Sequence, residues 1–282
     1  MSALLSGAGK PALPKGKNPS APCAAPGLCD IIGKQKTSTE AKKMQVHIYD
    51  SAQQVGRAAA SLFAAQVIRK PQSVLGLATG SSPIGCYQQL IEWYKEGLVD
   101  FSQCVSFNLD EYVGIPVVHP ESYYRFMEDH LFSFINMKET NVPNGNADDL
   151  QAEAARYDAA IEQAGGIDIQ LLGIGRNGHI GFNEPADRFV YGTQIVNLTK
   201  STIEANRRFF DSEDQVPRRA ISLGIGGIMQ AREVVLIAMG QDKAQAIRDT
   251  VKGNVTPQVQ ASILRLHPRA TILVDKAAAG LL

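Results

Sequence analysis

Residues 73–110, SVLGLATGSSPIGCYQQLIEWYKEGLVDFSQCVSFNLD, decide the fold class. The short apolar run SVLGLAT is followed by the longer amphipathic run PIGCYQQLIEWYKEG and then by a second short run, VSFNLD. This order predicts a strand, a helix and a second strand. Near-continuous apolar strands separated by helices are typical of a parallel sheet that is covered on both faces.

The same alternation continues on both sides of this stretch. Upstream lie VHIYD and AQQVGRAAASLFAAQVIRK, which predict a strand and a helix. Downstream we expect, in order, a helix in DLQAEAARYDAAIEQA, a strand in IDIQLL, a strand in TQIVNL, a helix in STIEANRRFF, a strand in REVVLIAMG, a helix from Gln241 to Lys252 and a last strand in ATILVD. The pattern predicts an α/β protein with a mostly parallel central sheet.

The first 43 residues differ from the rest of the chain. They carry seven lysines against two acidic residues, with five prolines, five glycines and no aromatic residue. Such a segment cannot bury enough apolar surface to become ordered. Its lysines follow its short apolar run, which is the wrong order for a secretory signal. We expect residues 1–43 to be a disordered leader or tail and residues 44–282 to be a single α/β catalytic domain.

The overall composition points to a small-molecule partner. Lysine plus arginine and aspartate plus glutamate both number 28 in 282 residues, so no general attraction to nucleic acid or to an anionic membrane is expected. No apolar stretch approaches the roughly 20 residues that span a bilayer. The four cysteines and five histidines show no metal-ligand spacing, so we expect no metal, and reduced thiols in the cytoplasm.

The carboxyl ends of parallel strands form the usual binding crevice of such a sheet, so the motifs at strand exits are the candidate site. In LATGSSPIG, Thr79 and Gly80 form a turn, Ser82 suits a helix N-cap and Pro83 suits the first helical position. The resulting backbone N–H groups at a helix N-terminus are suited to a phosphate. An ordinary, well-capped connection explains the stretch equally well.

A carboxylate follows the next strand, at Asp110 in VSFNLDEYVG. A carboxylate at this position serves either in proton transfer or as the cap of the following segment, and caps are the commoner case. This motif alone leaves both interpretations open.

Residues 173–178 in GIGRNGHIGFNEP match the G-x-G-x-x-G spacing of dinucleotide sites. That fingerprint requires a helix at its third glycine and an acidic residue about 20 positions later, after the next strand. Here Gly181, Asn183 and Pro185 oppose a helix, and the next strand ends in Asn197. We therefore reject a dinucleotide site.

A histidine and a carboxylate remain in this stretch, His179 and Glu184. A nearby carboxylate fixes the tautomer of an imidazole and favours its charged form, which suits proton transfer near neutral pH. A lone histidine is more often structural, but flanking glycines and a strand exit favour a functional one. Arg208 and Lys243 are candidate phosphate-binding cations, although each taken alone is more typical of a solvated surface.

Several motifs together resemble the glucosamine-6-phosphate deaminase (glucosamine-6-phosphate isomerase) family. They are LATGSSP, FNLDEYVG, GHIGFNEP, ANRRFF, AISLGIGGIMQAREVVLIAMG and LHPRATILVD, and the resemblance runs from about Met44 to the C-terminus. It implies a modified Rossmann-like, three-layer α/β/α fold. It also implies conversion of glucosamine 6-phosphate and water into fructose 6-phosphate and ammonia in amino-sugar catabolism, without a cofactor.

The resemblance also assigns residue roles. Asp110 matches the base that moves a proton from C2 to C1, His179 matches the acid/base that opens the sugar ring, and Glu184 matches the carboxylate that supports it. Asn177 stands where some members have aspartate, so His179 should depend on Glu184 for charge support. The substrate and its phosphate are expected to contact Thr79, Gly80, Ser81, Ser82, Arg208 and Lys243.

Two other functions remain as alternatives. A 6-phosphogluconolactonase-like hydrolase shares the fold and a G-H motif but uses no enolisation carboxylate, and FNLDEYVG and FNEP oppose it. A sugar-phosphate-sensing regulator domain is opposed by the lack of a helix-turn-helix pattern and by the presence of Asp110 and His179. Monomers and homo-oligomers both occur in the family. Gln194 and Val196 stand where activator-binding charges are implied, so we expect no allosteric activator.

Overall fold

The computed structural model describes residues 44–199, 202–204, 207, 210, 212 and 215–282. The tail expected at residues 1–43 and the candidate cation Arg208 lie outside this part of the chain. Within it, seven parallel strands form one sheet in the order β1-β10-β9-β6-β2-β3-β5. These strands are β1 (Gln45–Tyr49), β2 (Val74–Leu77), β3 (Val105–Asn108), β5 (Glu139–Asn141), β6 (Ile169–Leu172), β9 (Val234–Ala238) and β10 (Ala270–Asp275).

Helices connect these strands. They are α1 (Ala52–Arg69), α2 (Ile84–Lys95), α3 (Tyr123–His130), α4 (Leu150–Gln163), α5 (Ile225–Met229) and α6 (Ala244–Lys252), with 3₁₀ turns at Phe132–Phe134, Gln241–Lys243 and Gln260–Leu266. None of the helices in the described ranges is long and apolar enough to cross a membrane.

Alternate residues of the central strands build two separate cores. Leu171 packs with Phe63 of α1 and Tyr87 of α2 on one face of the sheet. Leu172, the next residue, packs with Tyr157 of α4 in the core on the other face. Side chains alternate in this way because successive residues of a strand point to opposite faces. Helices therefore cover both faces, which confirms the three-layer α/β/α fold with a mostly parallel sheet.

The chain changes direction across the sheet between β2 and β6. From β2 the next strand of this sheet is β3, on one side, whereas from β6 the next strand is its neighbour β9, on the other side. Such a switch point opens a crevice at the carboxyl ends of the two strands. The motifs LATGSSP and GRNGHIGFNEP follow these two strands, so the fold brings them to the same crevice.

A small antiparallel sheet was not expected from the sequence. It contains β4 (Asp110–Tyr112), β8 (Arg219–Ser222) and β7 (Gln194–Asn197), in that order. The run TQIVNL does form a strand, but this strand belongs to the small sheet. Asp110 is the first residue of β4, two positions beyond the end of β3. The small sheet lies over the carboxyl end of β3 because Leu223 donates its N–H to the Leu109 carbonyl.

The predicted cap of α2 is wrong. The helix begins at Ile84, Pro83 occupies the N-cap position, and no side chain there accepts a hydrogen bond from the first turn. Ser82 instead faces Gly173 at the exit of β6. The sequence matched a cap because serine followed by proline is common at helix starts, but the helix begins one residue later than that pattern implies.

Candidate active site

A cavity of about 1300 Å³ opens at the carboxyl ends of β2, β3, β6 and β9. The candidate residues that line it are Thr79, Gly80, Ser81, Ser82, Asp110, Asn177, His179 and Lys243. Glu184 lies behind His179, outside the lining. Motifs as far apart in sequence as residues 79 and 243 thus meet at one site, because parallel strands bring their exits to the same edge of the sheet.

The imidazole of His179 is held against a glycine. A Cβ built on Gly175 would lie 2.2 Å from His179 Cε1, so any side chain there would displace the ring. The Gly175 N–H donates to the His179 carbonyl at 2.9 Å, which closes the loop between them. The glycines around this histidine therefore make room for the ring and fix the loop that carries it.

Glu184 faces the buried side of the same ring. His179 Nδ1 lies 3.4 Å from Glu184 Oε2, which is an ion-pair distance, but the two atoms are not aligned as a hydrogen bond. Asn177 links the two residues, because its side-chain NH₂ donates to Glu184 Oε2 at 2.7 Å and its side-chain oxygen accepts the backbone N–H of His179 at 3.2 Å. With Nδ1 buried against the carboxylate, Nε2 is the nitrogen left to meet a ligand.

The carboxylate of Glu184 is stabilised in its charged form. Burial alone would raise its pKa, but the adjacent His179 ring and the donors of Thr202 and Asn177 outweigh that effect and lower the pKa to about 2. The Thr202 hydroxyl donates to Glu184 Oε1. A negative charge therefore remains beside His179 throughout the physiological pH range.

Asp110 is in the opposite electrostatic situation. Its side chain is buried, and no side chain or backbone group in the described part of the chain donates a hydrogen bond to its carboxyl group. Burial, together with the negative charge of the adjacent Glu111, raises the pKa of Asp110 to about 8. A Cβ built on Gly181 would lie 3.5 Å from Asp110 Oδ2, so the loop that carries His179 passes directly beside this carboxyl group.

Glu111, the next residue, has a structural role. Its carboxylate accepts the backbone N–H groups of Tyr112, Tyr123 and Tyr124 at 2.8–2.9 Å. These bonds hold the N-terminus of α3 against β4 and satisfy donors that a helix start leaves unpaired. Of the two consecutive acidic residues, Asp110 lines the cavity and Glu111 holds the wall of the cavity in place.

The cation side of the cavity comes from the exit of β9. Lys243 ends the 3₁₀ turn Gln241–Lys243 and lines the same cavity as the Thr79–Ser82 loop. Its neighbour Asp242 pairs with Arg176 at 3.0 Å. The expected position of Lys243 near a helix start is confirmed, since α6 begins at the following residue.

Sequence analysis missed two residues of the cavity wall, Tyr123 and Thr202. Tyr123 lines the cavity, stacks on Phe182 at 5.9 Å and places its hydroxyl 3.3 Å from the Tyr112 hydroxyl. Thr202 supports Glu184 across 18 residues of sequence. No motif marks these residues, because their roles arise only from contacts between distant segments.

Comparison with known proteins places this geometry in a family. Residues 49–273 match the model of the family described as glucosamine-6-phosphate isomerases/6-phosphogluconolactonase. The chain belongs to this family. The resemblance drawn from the motifs is thereby confirmed.

Relatives within the family differ in how closely they match. A glucosamine-6-phosphate deaminase from Halothermothrix orenii is 52% identical over 241 residues, which cover 85% of this chain and all of the relative. The solved structure of a monomeric glucosamine-6-phosphate deaminase of the NagB superfamily is 42% identical, with a TM-score of 0.83 over 85% of this chain and all of that one. A 6-phosphogluconolactonase from Trypanosoma cruzi is 18% identical, with a TM-score of 0.67 over 86% of this chain and 97% of that one, and shares the fold alone.

Proposed function

We propose that this chain converts D-glucosamine 6-phosphate and water into D-fructose 6-phosphate and ammonia. The observation that carries the proposal is the convergence of two different proton-transfer groups on one cavity. Asp110 supplies a buried carboxyl group, and His179 supplies an imidazole backed by the carboxylate of Glu184. Relatives at about half sequence identity, all deaminases by name, support the same reaction.

The first step is ring opening by His179. A cyclic amino sugar has no carbonyl group, so its C2 proton is not acidic until the hemiacetal opens. Opening moves a proton from the C1 hydroxyl to the ring oxygen, and an imidazole can take up one proton and release another. Glu184 acts as a positioning residue, since it orients the ring from the Nδ1 side and leaves Nε2 for the sugar.

The second step is proton transfer by Asp110. The carboxylate takes the C2 proton of the open-chain aldehyde and returns it to C1, which leaves a C1 hydroxymethyl group and a protonated imine at C2. Addition of water at C2 and departure of ammonia complete the reaction. A raised pKa makes the carboxylate a stronger base once it is ionised, and the ammonium group of the substrate favours that ionised form.

The phosphate binds away from the reacting carbons. We assign it to the loop Thr79–Ser82 at the start of α2, with Lys243 and Arg208 as cations. Binding energy gathered there holds the open chain in place while its other end reacts. An amino-sugar phosphate is the only partner this chemistry requires, and we place the enzyme in the cytoplasm as the catalytic domain 44–282.

Lactone hydrolysis is the alternative within the same family. It needs activated water at an ester but no carboxyl group beside C2, so it leaves Asp110 without a role. The deciding experiment compares ammonia release from glucosamine 6-phosphate with hydrolysis of 6-phosphogluconolactone by the same preparation. We expect ammonia release to exceed lactone hydrolysis by at least about a hundredfold in kcat/KM. Faster lactone hydrolysis without ammonia would overturn the proposal.

A further inference from the structure

The two strands beside the cavity, β2 and β6, separate before they reach it. Their pairing stops at Gly76 and Gln170, whereas β2 still pairs with β3 at Leu77 and β6 still pairs with β9 at Leu172. Backbone groups alternate sides along a strand, and the Leu77 carbonyl faces β3, where it accepts the Leu109 N–H. The N–H and C=O of Ala78 therefore face the gap that opens toward β6.

The hydroxyl of Tyr87 takes the place of β6 as the hydrogen-bonding partner of Ala78. It donates to the Ala78 carbonyl at 2.6 Å and accepts the Ala78 N–H at 3.1 Å. One side chain thus satisfies both backbone groups that the separation of the strands leaves without a partner. Tyr87 is fully buried in the core between α1 and α2, and burial raises the pKa of its hydroxyl, so the group stays protonated as this pairing requires.

This contact joins the two ends of the candidate phosphate loop. Ala78 is the last residue before Thr79–Ser82, and Tyr87 lies in the first turn of α2 just after it. The Tyr87 N–H also donates to the Pro83 carbonyl at 3.0 Å. With both ends tied, the N–H groups of the loop are held in place before a ligand arrives, and a preorganised site loses less conformational entropy on binding.

We propose that Tyr87 is a positioning residue for the sugar phosphate: its hydroxyl fixes the distance between the exit of β2 and the start of α2 at which Thr79–Ser82 bind the phosphate. Tyr87 has no exposed surface and does not line the cavity, so it acts only through the loop. This role rests on the proposed function, in which that loop receives the phosphate.

The test is Tyr87→Phe, which removes the hydroxyl and keeps the ring. We expect KM for glucosamine 6-phosphate to rise about 10- to 100-fold, the range typical of residues that orient ligand-binding groups, while kcat changes less than about threefold. The Kd of sorbitol 6-phosphate, an open-chain sugar phosphate that cannot react, should rise by the same factor in calorimetry.

Tyr157→Phe is the matched control. Tyr157 is also fully buried, and its hydroxyl donates at 2.7 Å to the carbonyl of Asn108, at the exit of β3 instead of β2. Both variants lose one buried hydroxyl and should lose comparable thermal stability. Only Tyr87→Phe should weaken binding of sorbitol 6-phosphate, and Tyr157→Phe should leave its Kd within about twofold.

The outcomes separate this inference from the proposed function. If the wild-type enzyme releases ammonia and Tyr87→Phe binds sorbitol 6-phosphate as the wild type does, Tyr87 has no positioning role. If the wild-type enzyme releases no ammonia, the proposed function fails, while the two Kd values still decide the role of Tyr87. Hydrogen exchange of the Ala78 amide in the wild type adds a test without any variant: fast exchange in the absence of ligand would show that the Tyr87 hydroxyl does not hold the exit of β2.

Discussion

At the scale of single residues, the site separates two carboxyl groups by their surroundings. Glu184 sits among an imidazole, a hydroxyl and an amide, and these hold its pKa at about 2. Asp110 sits in a buried pocket beside Glu111, and its pKa rises to about 8. Groups whose environments push their pKa values apart are suited to different proton-transfer roles. Here one carboxylate is a permanent charge and the other is a base that exchanges protons.

The raised pKa of Asp110 predicts that Asp110→Asn stabilises the protein. Between about pH 4 and pH 8 the folded state keeps a proton on Asp110 that the unfolded chain releases, so wild-type stability falls as pH rises through this window. Asparagine removes this dependence. The free energy of unfolding, measured with urea, should be higher for the variant than for the wild type. The difference should grow by up to about 1.4 kcal/mol per pH unit and level off above pH 8.

Exposed Asp148 supplies the control for this measurement. Asp148→Asn should change the free energy of unfolding by less than about 0.5 kcal/mol, because a substitution on the surface removes no buried contact. A margin for Asp110→Asn that stays constant from pH 5 to pH 9 would mean that the carboxyl group of Asp110 is ionised in the folded protein, which would contradict its raised pKa.

At the scale of elements, the start of α2 depends on a left-handed residue. Gly80 has φ of +92° and no atom near the place of a Cβ, so Gly80→Ala adds backbone strain without a clash. Strain of this kind is about 1–2 kcal/mol. We expect it to distort the Thr79–Ser82 loop and to raise KM for glucosamine 6-phosphate about tenfold or more with kcat nearly unchanged, as measured by ammonia release.

The other end of the same helix offers the matched variant. Gly97 has φ of +75°, likewise with nothing near the place of a Cβ, and it ends α2 far from the cavity. Gly97→Ala should cost similar stability and leave KM unchanged. If both variants raise KM equally, the effect of Gly80→Ala comes from general destabilisation of α2 and the loop is not the binding element.

Elements with a single strong pattern could be predicted from the sequence. Strands β2, β6 and β9 are buried along their whole length, so they appear in the sequence as short apolar runs, interrupted only by Gln170 in β6. By contrast, β4 and β5 have three residues each, and their pairing partners lie far away in the chain. Short strands of this kind form because a neighbouring strand is available to pair with them, and no local sequence pattern predicts that pairing.

The candidate site was predictable to the extent that it lies at strand exits. The rule that parallel strands share a binding edge places Asp110, His179 and Ser82 around one crevice. It gives no information on Tyr87, Tyr123 or Thr202, whose roles come from side chains that reach across the fold. The cap assigned to Ser82 was wrong because α2 begins at Ile84, with Pro83 in the N-cap position.

At the scale of the whole molecule, the cavity and a buried ion-pair cluster lie at opposite ends of the strands. At the amino end of β6, Asp168 is buried and accepts bonds from Lys70 at 2.7 Å, Arg232 at 2.9 Å and the Val74 N–H at 2.8 Å. This cluster ties α1, β2 and the connection into β9 to the start of β6. The cavity lies at the other end of the same strands.

This division predicts that Asp168→Asn destabilises the protein without changing its chemistry. The two cations are about half exposed, so the loss should be about 2–4 kcal/mol in urea unfolding, below the largest values for fully buried pairs. KM and kcat should stay within about twofold at 25 °C. The exposed pair Lys276 and Asp50 is the control, since Asp50→Asn should leave the free energy of unfolding nearly unchanged. A large loss of kcat in Asp168→Asn would show that the ion-pair cluster at the amino ends of the strands is not independent of the cavity at their carboxyl ends.

The most direct test concerns hydrogen movement between C2 and C1. In D₂O containing ammonium, the wild-type enzyme should incorporate deuterium into C1 of fructose 6-phosphate through the reverse reaction. Asp110→Asn should bind sorbitol 6-phosphate normally and incorporate deuterium at least about a thousandfold more slowly, because no other buried carboxyl group lines the cavity in the described part of the chain. Incorporation by Asp110→Asn at the wild-type rate would contradict the role of Asp110 as the base.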